Sequence, residues 1–257
     1  MKNEELVSII TPSYNSSKYI AETIQAVLAQ TYHNWELLIT DDCSTDNSVE
    51  IIKSFCRKDQ RIRVFCLKRN SGAGVARNNS IREAKGRFIA FCDSDDKWLP
   101  DKLQKQVEFM LQHGYAFSFL SYYQCNENGE HIRSIICKLK ISYWDLLVDN
   151  CVGCLTAMYD CRKIGGKIYM PAIRKRQDWG LWLILIQKCK YGYGLRETLA
   201  EYRVRKGSIS SKKLDLVRHN IKVYKEVLGY SILKSYLFFI FFFLPVYCYK
   251  KMKQILH

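Results

Sequence analysis

Three carboxylates stand close together in the segment FCDSDD, where Asp93, Asp95 and Asp96 follow an apolar run from Gly86 to Cys92. The apolar run predicts a buried strand, and Pro100 predicts the first turn of a helix that begins near residue 99. The acids therefore stand at the carboxyl end of a strand, where open α/β sheets bind ligands. Neighbouring carboxylates repel unless a hard divalent cation neutralises them, and Mg²⁺ commonly takes one or two carboxylates plus substrate phosphates.

This acidic cluster predicts a cation site that binds the phosphates of a nucleotide or a sugar nucleotide. The structural alternative is that Asp96 caps the following helix and that the other two acids are solvated. A ligand site would include further residues from the ends of neighbouring strands. The elements around the cluster therefore help to decide between a cation site and a helix cap.

Strand and helix patterns alternate through the first half of the chain. Strands are predicted near residues 6–11, 35–41, 62–67 and 87–92, and helices near 18–30, 45–58 and 74–85. This alternation predicts a parallel sheet. The four strands end in the polar turns TPSYN, DDCSTD, KRNSGAG and DSDD, which therefore converge on one edge of the sheet.

The second half of the chain has a mixed pattern. A helix is predicted to about Gln112, followed by the aromatic strand AFSFLSYY and by the turn signal NENGE, which predicts a hairpin. The segments SYWDLLVDN and QDWGLWLILIQKC are typical of helices, and CLTAMYD and TLAEYRV are typical of strands.

The composition fits one large α/β domain, or one domain with appendages, because 48% of the 257 residues are hydrophobic. The polar start predicts no signal peptide and no spanning segment at the amino end. An odd number of cysteines, eleven, indicates a reducing cytoplasm. The CxxC spacing of Cys151 and Cys154 is typical of zinc or redox sites, but buried small hydrophobic residues explain the pair better because no second pair or histidine accompanies it.

The net charge of +15 predicts a polyanionic partner, either nucleic acid or anionic lipid. Residues 203–257 carry twelve Lys and Arg against two acids, around the apolar run from Tyr236 to Tyr249. That run has 14 residues with Pro245 inside it, short of the roughly 20 needed to span a bilayer. It predicts a helix lying in the membrane interface, held by apolar burial and anionic headgroups. The alternative is a helix packed on the core or on a second subunit. No nucleic-acid partner is expected, because no nucleic-acid-binding motif is present.

Five motifs occur together and in order: VSIITPSYN, DDCSTD, NSGAGVARN, DSDD and QDWGLWL. Through them the sequence resembles the family 2 glycosyltransferases of GT-A fold over roughly residues 6–210, and especially the bacterial enzymes that extend teichuronic acid or O-antigen units on a lipid carrier. The resemblance implies an α/β fold, a Rossmann-like nucleotide-binding mixed sheet flanked by helices in residues 1–210. Residues 211–257 would form the basic, apolar helical tail that attaches the protein to the inner face of the cell membrane.

The resemblance also implies residues for the nucleotide donor, a UDP-sugar. Pro12 would fix the turn after the first strand and Tyr14 would stack on the base, both touching the uridine. Asp42 would accept a hydrogen bond from a uracil N–H; the alternative is that DDCSTD only caps a helix beginning near Thr45. Arg77 lies just inside a helix, where its guanidinium can meet phosphate or organise the acidic loop.

The metal and base assignments follow from the same resemblance. Asp95 would coordinate Mn²⁺ or Mg²⁺ directly, and Asp93 would contact the ribose or a metal-bound water. Inversion in one displacement needs a base opposite the leaving group, and the resemblance assigns that role to Asp178, although Gln177 replaces the family's usual glutamate. An N-cap is the alternative for Asp178.

Arg205 stands where many relatives carry a histidine that would be a further metal ligand. A guanidinium cannot ligate a metal, so Arg205 is expected to contact the diphosphate instead, with solvent exposure as the alternative.

The sequence therefore predicts an inverting, metal-dependent glycosyltransferase with a UDP-sugar donor and a lipid-linked saccharide acceptor. The nearest enzymatic rival is a processive synthase, disfavoured because no QxxRW motif or transmembrane helix is found. The non-enzymatic rival is a basic membrane-binding or nucleic-acid-binding protein with a degenerate nucleotide site.

Overall fold

The computed structural model describes residues 5–205 and 213–255. The strands are β1 (Val7–Ser13), β2 (Trp35–Asp41), β3 (Ile62–Cys66), β4 (Phe88–Phe91), β5 (Lys97–Trp98), β6 (Phe117–Cys125), β7 (His131–Ile135), β8 (Lys140–Ser142), β9 (Met158–Asp160) and β10 (Tyr191–Arg203). The helices are α1 (Ile20–Leu28), α2 (Ser48–Cys56), α3 (Ala73–Glu83), α4 (Lys102–His113), α5 (Tyr143–Val148), α6 (Cys161–Ile164), α7 (Gln177–Cys189), α8 (Lys213–Lys222), α9 (Ile232–Phe238) and α10 (Leu244–Ile255). A 3₁₀ turn covers Cys154–Thr156, and π-helical segments cover Val223–Val227 and Phe239–Phe243.

The strands of the described residues form one mixed sheet in the order β3-β2-β1-β4-β9-β6-β10-β5, with β7 paired to β6 and β8 paired to β10. The first four strands are parallel, as the alternation predicts. β9 then lies antiparallel to both β4 and β6, so the sheet changes direction beside the strand that carries the acids. The predicted hairpin at NENGE is confirmed by the pairing of β6 with β7.

Pro12 lies inside β1 and not in the turn after it, because the strand continues to Ser13. The carbonyl of Ile10 accepts the N–H of Cys92, so this residue turns its backbone groups toward β4, and Pro12, two positions on, faces the same way. Pairing between β1 and β4 ends at Ile10 and Phe91. The strand tolerates a proline here because β4 has already ended beside it, so the absent N–H of Pro12 removes no hydrogen bond between the strands.

The helix predicted from residue 99 begins later, at Lys102, and the short strand β5 stands between it and the acids. Pro100 precedes this helix and does not lie in its first turn. The segment CLTAMYD is extended only from Met158, because its first residues form the 3₁₀ turn. TLAEYRV forms the second half of β10, as predicted.

Two apolar clusters cover the two faces of the sheet. Val7 and Ile9 of β1 pack with residues of α1, α2 and α4, whereas Ile10 packs on the opposite face with residues of α3, α5 and α7. This alternation along one strand is the period of two that places a strand between two layers of helices.

The carboxyl-terminal helices pack on the second of these clusters. Phe238, Phe239 and Phe243 are buried in it, and the Phe243 ring lies 5.5 Å from the Trp179 ring of α7, centroid to centroid. The tail therefore contributes to the core of the preceding fold. The predicted domain boundary between residues 210 and 211 lies outside the described residues and stays a prediction.

The helix is continuous from Ile232 to Lys250, so the prediction that the apolar run is too short to span a membrane is wrong. The helix has 19 residues, and an 18-residue window of it has a mean hydropathy of 1.7 with 17% of the window buried, so the helix is long and apolar enough to cross a membrane. Pro245 is the second residue of α10 and follows the π-helical segment Phe239–Phe243 after one intervening residue, so it lies near a place where the helical hydrogen-bond pattern is shifted. A core helix of a soluble protein meets the same length and composition criterion.

Candidate active site

The acidic loop forms a tight turn directly after β4. The N–H of Asp96 donates to the carbonyl of Asp93 at 3.0 Å, which closes the turn. The Asp96 carboxylate is buried and accepts the N–H of Arg203 in β10 at 3.1 Å. Asp96 therefore fixes the loop to the far strand, and the alternative that it caps the following helix is wrong.

Arg77 joins the acidic loop to α3. Its Nη2 donates to Oδ1 of Asp93 at 2.5 Å, and the arginine is only 6% exposed. Burial alone would lower the pKa of Arg77, but the charge of Asp93 raises it, with smaller contributions from Cys154 and Asp178. Arg77 therefore stays charged although it is buried. Its contact with Asp93 agrees with one of its two predicted roles, which was to organise the acidic loop.

Asp95 forms a second ion pair, through its Oδ2 to Nη2 of Arg205 at 2.6 Å. Burial raises the pKa of Asp95, and the charge of Asp93 adds to this rise while Arg205 opposes it. Arg205 is thereby brought to the acidic loop. Its contact with a diphosphate stays a prediction.

Arg203 supports the same loop and was missed by sequence reasoning. Its buried guanidinium donates to the carbonyls of Asp95 and Glu127 at 3.1 and 2.8 Å, and to the carboxylate of Glu22 at 2.7 Å. A basic residue inside the strand segment TLAEYRV was the available signal, since a buried strand retains a charge only when it is paired.

The residues of the acidic loop fit a hard divalent cation. Asp93 and Asp95 supply carboxylate oxygens at a strand end, and each ion pair is made through one oxygen of its carboxylate. Among the described residues no group of three His, Cys, Asp or Glu side chains could hold a metal ion. A cation here would therefore complete its shell with substrate phosphate and water, which is how Mg²⁺ is usually held.

Asp42 holds the neighbouring loop of the predicted nucleotide site. Its buried carboxylate accepts the N–H groups of Ser71 and Gly72, each at 2.7 Å. α2 begins at Ser48, so the alternative that Asp42 caps a helix starting near Thr45 is wrong. A carboxylate has about four acceptor positions, which leaves capacity for the predicted uracil N–H.

Tyr14 is the first residue after β1 and is 50% exposed, so its ring is available for the predicted stacking. A cleft of about 330 Å³ lies between the loop before α3 and the loop before α7. Its lining includes Ser71, Gly72, Arg174 and Gln177. At Gly74 an added Cβ would lie 2.9 Å from Cγ of Gln177, so the two helices meet closely here.

Asp178 is the second residue of α7, and the N-cap position belongs to Arg176, so the capping alternative is wrong. Oδ2 of Asp178 accepts a hydrogen bond of 3.1 Å from Nδ2 of Asn150. The charge of Asp178 acts on Arg77, which also pairs with Asp93. The predicted base and Asp93 therefore act on the same buried arginine. Asn150 was not predicted, because the loop after α5 carries no distinguishing pattern.

All eleven cysteines are free thiols. Burial raises the pKa of Cys151 to about 12 and also raises the pKa of Cys154. The thiolate form needed for zinc or redox chemistry is therefore disfavoured in this pair.

The relatives found by comparison with known proteins include several proteins named as glycosyltransferases. The model of glycosyl transferase family 2 matches residues 8–164. The chain is 46% identical to Bacillus subtilis TuaG, named as a teichuronic acid biosynthesis glycosyltransferase, over 86% of this chain and 88% of the relative. It is 38% identical to Escherichia coli WfgD, named as a UDP-Glc:alpha-D-GlcNAc-diphosphoundecaprenol beta-1,3-glucosyltransferase, over 82% of each.

Solved structures share the fold. Staphylococcus aureus TarS in complex with UDP matches with a TM-score of 0.69 and 22% identity, covering 89% of this chain and 68% of that one. The mannosyltransferase PcManGT of Pyrobaculum calidifontis, in complex with GDP-Man and Mn²⁺, matches with a TM-score of 0.70 and 14% identity, covering 90% of this chain and 66% of that one. The GT-A fold predicted from the motifs is confirmed.

Proposed function

Because the chain belongs to glycosyl transferase family 2, we propose that it transfers a hexose or an N-acetylhexosamine from a UDP-sugar to a lipid-linked saccharide in bacterial surface polysaccharide assembly. The observation that carries the proposal is the placement of Asp93 and Asp95 on one tight turn at the end of β4, where Asp93 pairs with the buried Arg77 and Asp95 pairs with Arg205, while the charge of Asp178 also raises the pKa of Arg77. Such a site combines carboxylates that can hold a cation for the diphosphate with a further carboxylate that can accept a proton.

The donor would be held from two sides. The exposed Tyr14 ring supports stacking on the uracil, beside Pro12 at the end of β1, and Asp42 supports a hydrogen bond to the base. Arg205 lies beside Asp95 and would meet the diphosphate there. The acidic loop would thus receive the phosphates, while the first two strand ends receive the nucleoside.

Asp95 and Asp93 are the residues that would hold Mn²⁺ or Mg²⁺. When bound, the ion would act as a Lewis acid that stabilises the departing diphosphate. The proposal rests on the hard oxygen donors of the loop and on the Mn²⁺ in the structure of PcManGT, which has the same fold.

Inversion would proceed in a single displacement. The acceptor hydroxyl oxygen bonds to the anomeric carbon, the bond from that carbon to the UDP oxygen breaks, and the hydroxyl proton moves to Asp178. The base must lie opposite the leaving group for this to happen. The position of Asp178 in the first turn of α7, where its charge acts on the arginine that pairs with Asp93, supports that placement.

The acceptor is proposed to be carried by an undecaprenyl-diphosphate type lipid. The names of two Escherichia coli relatives, WfgD and WfaP, give a sugar-diphosphoundecaprenol as their acceptor. A lipid carrier requires the enzyme to work at a membrane, and we propose the cytoplasmic face. No nucleic-acid partner is proposed.

The carboxyl-terminal helix supports peripheral attachment. One face packs on the core through Phe238 and Phe243, while Leu233 and Phe241 on the other side are 68% and 67% exposed. Trp144 of α5 extends this apolar face, because its exposed ring lies 6.5 Å from the Phe238 ring, centroid to centroid. A helix whose one face is fixed to the fold would lie along a bilayer surface, not cross it alone.

The test is transfer itself. The protein is incubated with Mn²⁺, a short-chain lipid-pyrophosphoryl GlcNAc, and UDP-glucose, UDP-galactose or their N-acetyl forms, and product is followed by mass. We expect product from one donor and none after EDTA. A chain that binds UDP but transfers from no donor would contradict the acceptor class, and a chain that does not bind UDP would contradict the enzyme proposal. Salt-sensitive DNA binding without UDP binding would favour the non-enzymatic rival.

A further inference from the structure

We propose that Asn150 is a positioning residue for Asp178, an inference that rests on the proposed function. Nδ2 of Asn150 donates to Oδ2 of Asp178 at 3.1 Å. An ionised carboxylate only accepts hydrogen bonds, so the amide must present its NH₂ group to it. The bond occupies one oxygen of Asp178 and leaves the other to receive the proton of an acceptor hydroxyl.

The orientation of the amide leaves its own oxygen without a partner. Oδ1 of Asn150 is shielded from solvent and has no hydrogen bond within the part of the chain that the structure describes. Burial of an unpaired acceptor is unfavourable, so stability alone does not account for an asparagine at this position. Conflicts of this kind between local stability and residue choice concentrate at functional sites.

The segment that carries Asn150 is fixed to the helix that carries Asp178. Trp179, next to Asp178 in sequence, donates its indole N–H to the carbonyl of Leu146 in α5 at 2.6 Å. One residue later in α5, the carbonyl of Leu147 accepts the hydroxyl of Tyr224 at 2.8 Å. Asn150 follows two residues after α5 ends, so its amide is presented to Asp178 from a backbone tied to the same helix.

Asn150 positions Asp178 and takes no part in proton transfer. During transfer the hydroxyl proton moves to the free oxygen of Asp178, and the electron pair of the broken bond leaves with UDP. The Asn150 amide neither accepts nor releases a proton. It keeps the Asp178 side chain in one orientation, and misplacement of a catalytic group by about 1 Å can cost about a hundredfold in rate.

The test compares Asn150→Asp and Asn150→Leu with the wild type. The first keeps the shape but places a second carboxyl group against Asp178, and the second removes the whole amide, including its unpaired oxygen. We expect kcat to fall about tenfold to a hundredfold in both, with the KM for the UDP-sugar unchanged within about twofold. The melting temperature of Asn150→Leu should equal or exceed that of the wild type. Asn128→Asp, at the exposed β6–β7 turn, is the matched control and should change neither.

Two results would overturn the inference alone: Asn150→Leu with wild-type kcat, or loss of activity in both variants with a parallel loss of melting temperature. Asp178→Asn is measured beside them, together with UDP release without acceptor, where water replaces the acceptor hydroxyl. Full transfer by Asp178→Asn would exclude Asp178 as the base and overturn the inference, while leaving the proposed function in place. No UDP release and no transfer by the wild type would refute the proposed function.

Discussion

Replacement of Lys102 by methionine should stabilise the protein near neutral pH. Lys102 is the first residue of α4, its side chain is fully buried, and its Nζ has no hydrogen-bond partner within the described residues. The ammonium lies 3.6 Å from the centroid of the Trp98 ring, which replaces only part of its hydration. Burial accordingly lowers the pKa of Lys102 from 10.5 to about 7.

The pKa difference gives the sign and size of the effect. Below pH 7 both the folded and the unfolded chain carry the proton, so the cost of burying the charge is fully present. Between pH 7 and pH 10.5 only the unfolded chain holds it, so the unfolding free energy rises by about 1.4 kcal/mol per pH unit. The whole shift corresponds to about 5 kcal/mol. Because an unbranched methionine fills similar space, Lys102→Met should gain about 2–4 kcal/mol at pH 7.

The measurement is urea unfolding of the wild type, Lys102→Met and Lys105→Met at pH 6.5, 8 and 9.5. The gain from Lys102→Met should be largest at pH 6.5 and shrink as the pH rises, because the wild-type lysine becomes neutral in the folded state. Lys105 is partly exposed on the same helix and pairs with Glu197, so its replacement should have a small effect that does not depend on pH over this range. Parallel pH curves for the wild type and Lys102→Met would refute the assignment of a buried charge.

Three further predictions concern the site and the tail. Asp178→Asn should bind UDP normally and lose transfer by about a hundredfold to ten-thousandfold, measured as kcat; retained transfer would eliminate it as the base. Asp95→Asn should abolish the increase in UDP affinity that Mn²⁺ produces in the wild type, measured by calorimetry with and without the ion, and an unchanged increase would exclude it as a ligand. Phe241→Asp, on the exposed face of the tail, should weaken sedimentation with anionic vesicles without lowering the melting temperature, whereas the control Phe243→Asp should destabilise the fold. Wild-type vesicle binding by a folded Phe241→Asp would refute the membrane face.

The local patterns of the sequence were sufficient for the first half of the fold. Strand β1 and helix α3 begin and end within two residues of their predicted bounds, because the spacing of apolar residues that indicates a strand or a helix can be read within one short segment. The carboxyl ends of parallel strands share one edge, which is why the acids after β4 and the loop residues after β1 and β2 could be assigned to one site.

The contacts that complete the site were not predictable from local pattern. Arg203 reaches the carbonyl of Asp95 across 108 positions, and Asn150 reaches Asp178 across 28. Both contacts depend on strand order and helix packing in the second half, where β9 enters antiparallel between β4 and β6. No periodicity in the sequence specifies that order.

The sequence by itself determined that the tail is apolar, basic and helical, and that carboxylates gather at a strand end. An apolar composition indicates that burial of the segment away from water is favourable, but it does not say whether the segment is buried against protein or in lipid. Only the tertiary structure decided that Phe238, Phe239 and Phe243 pack on the core while Phe241 stays exposed. The same holds for the acids, because the charges that pair with Asp93 and Asp95 come from α3 and from the segment after β10, which only folding brings to the loop.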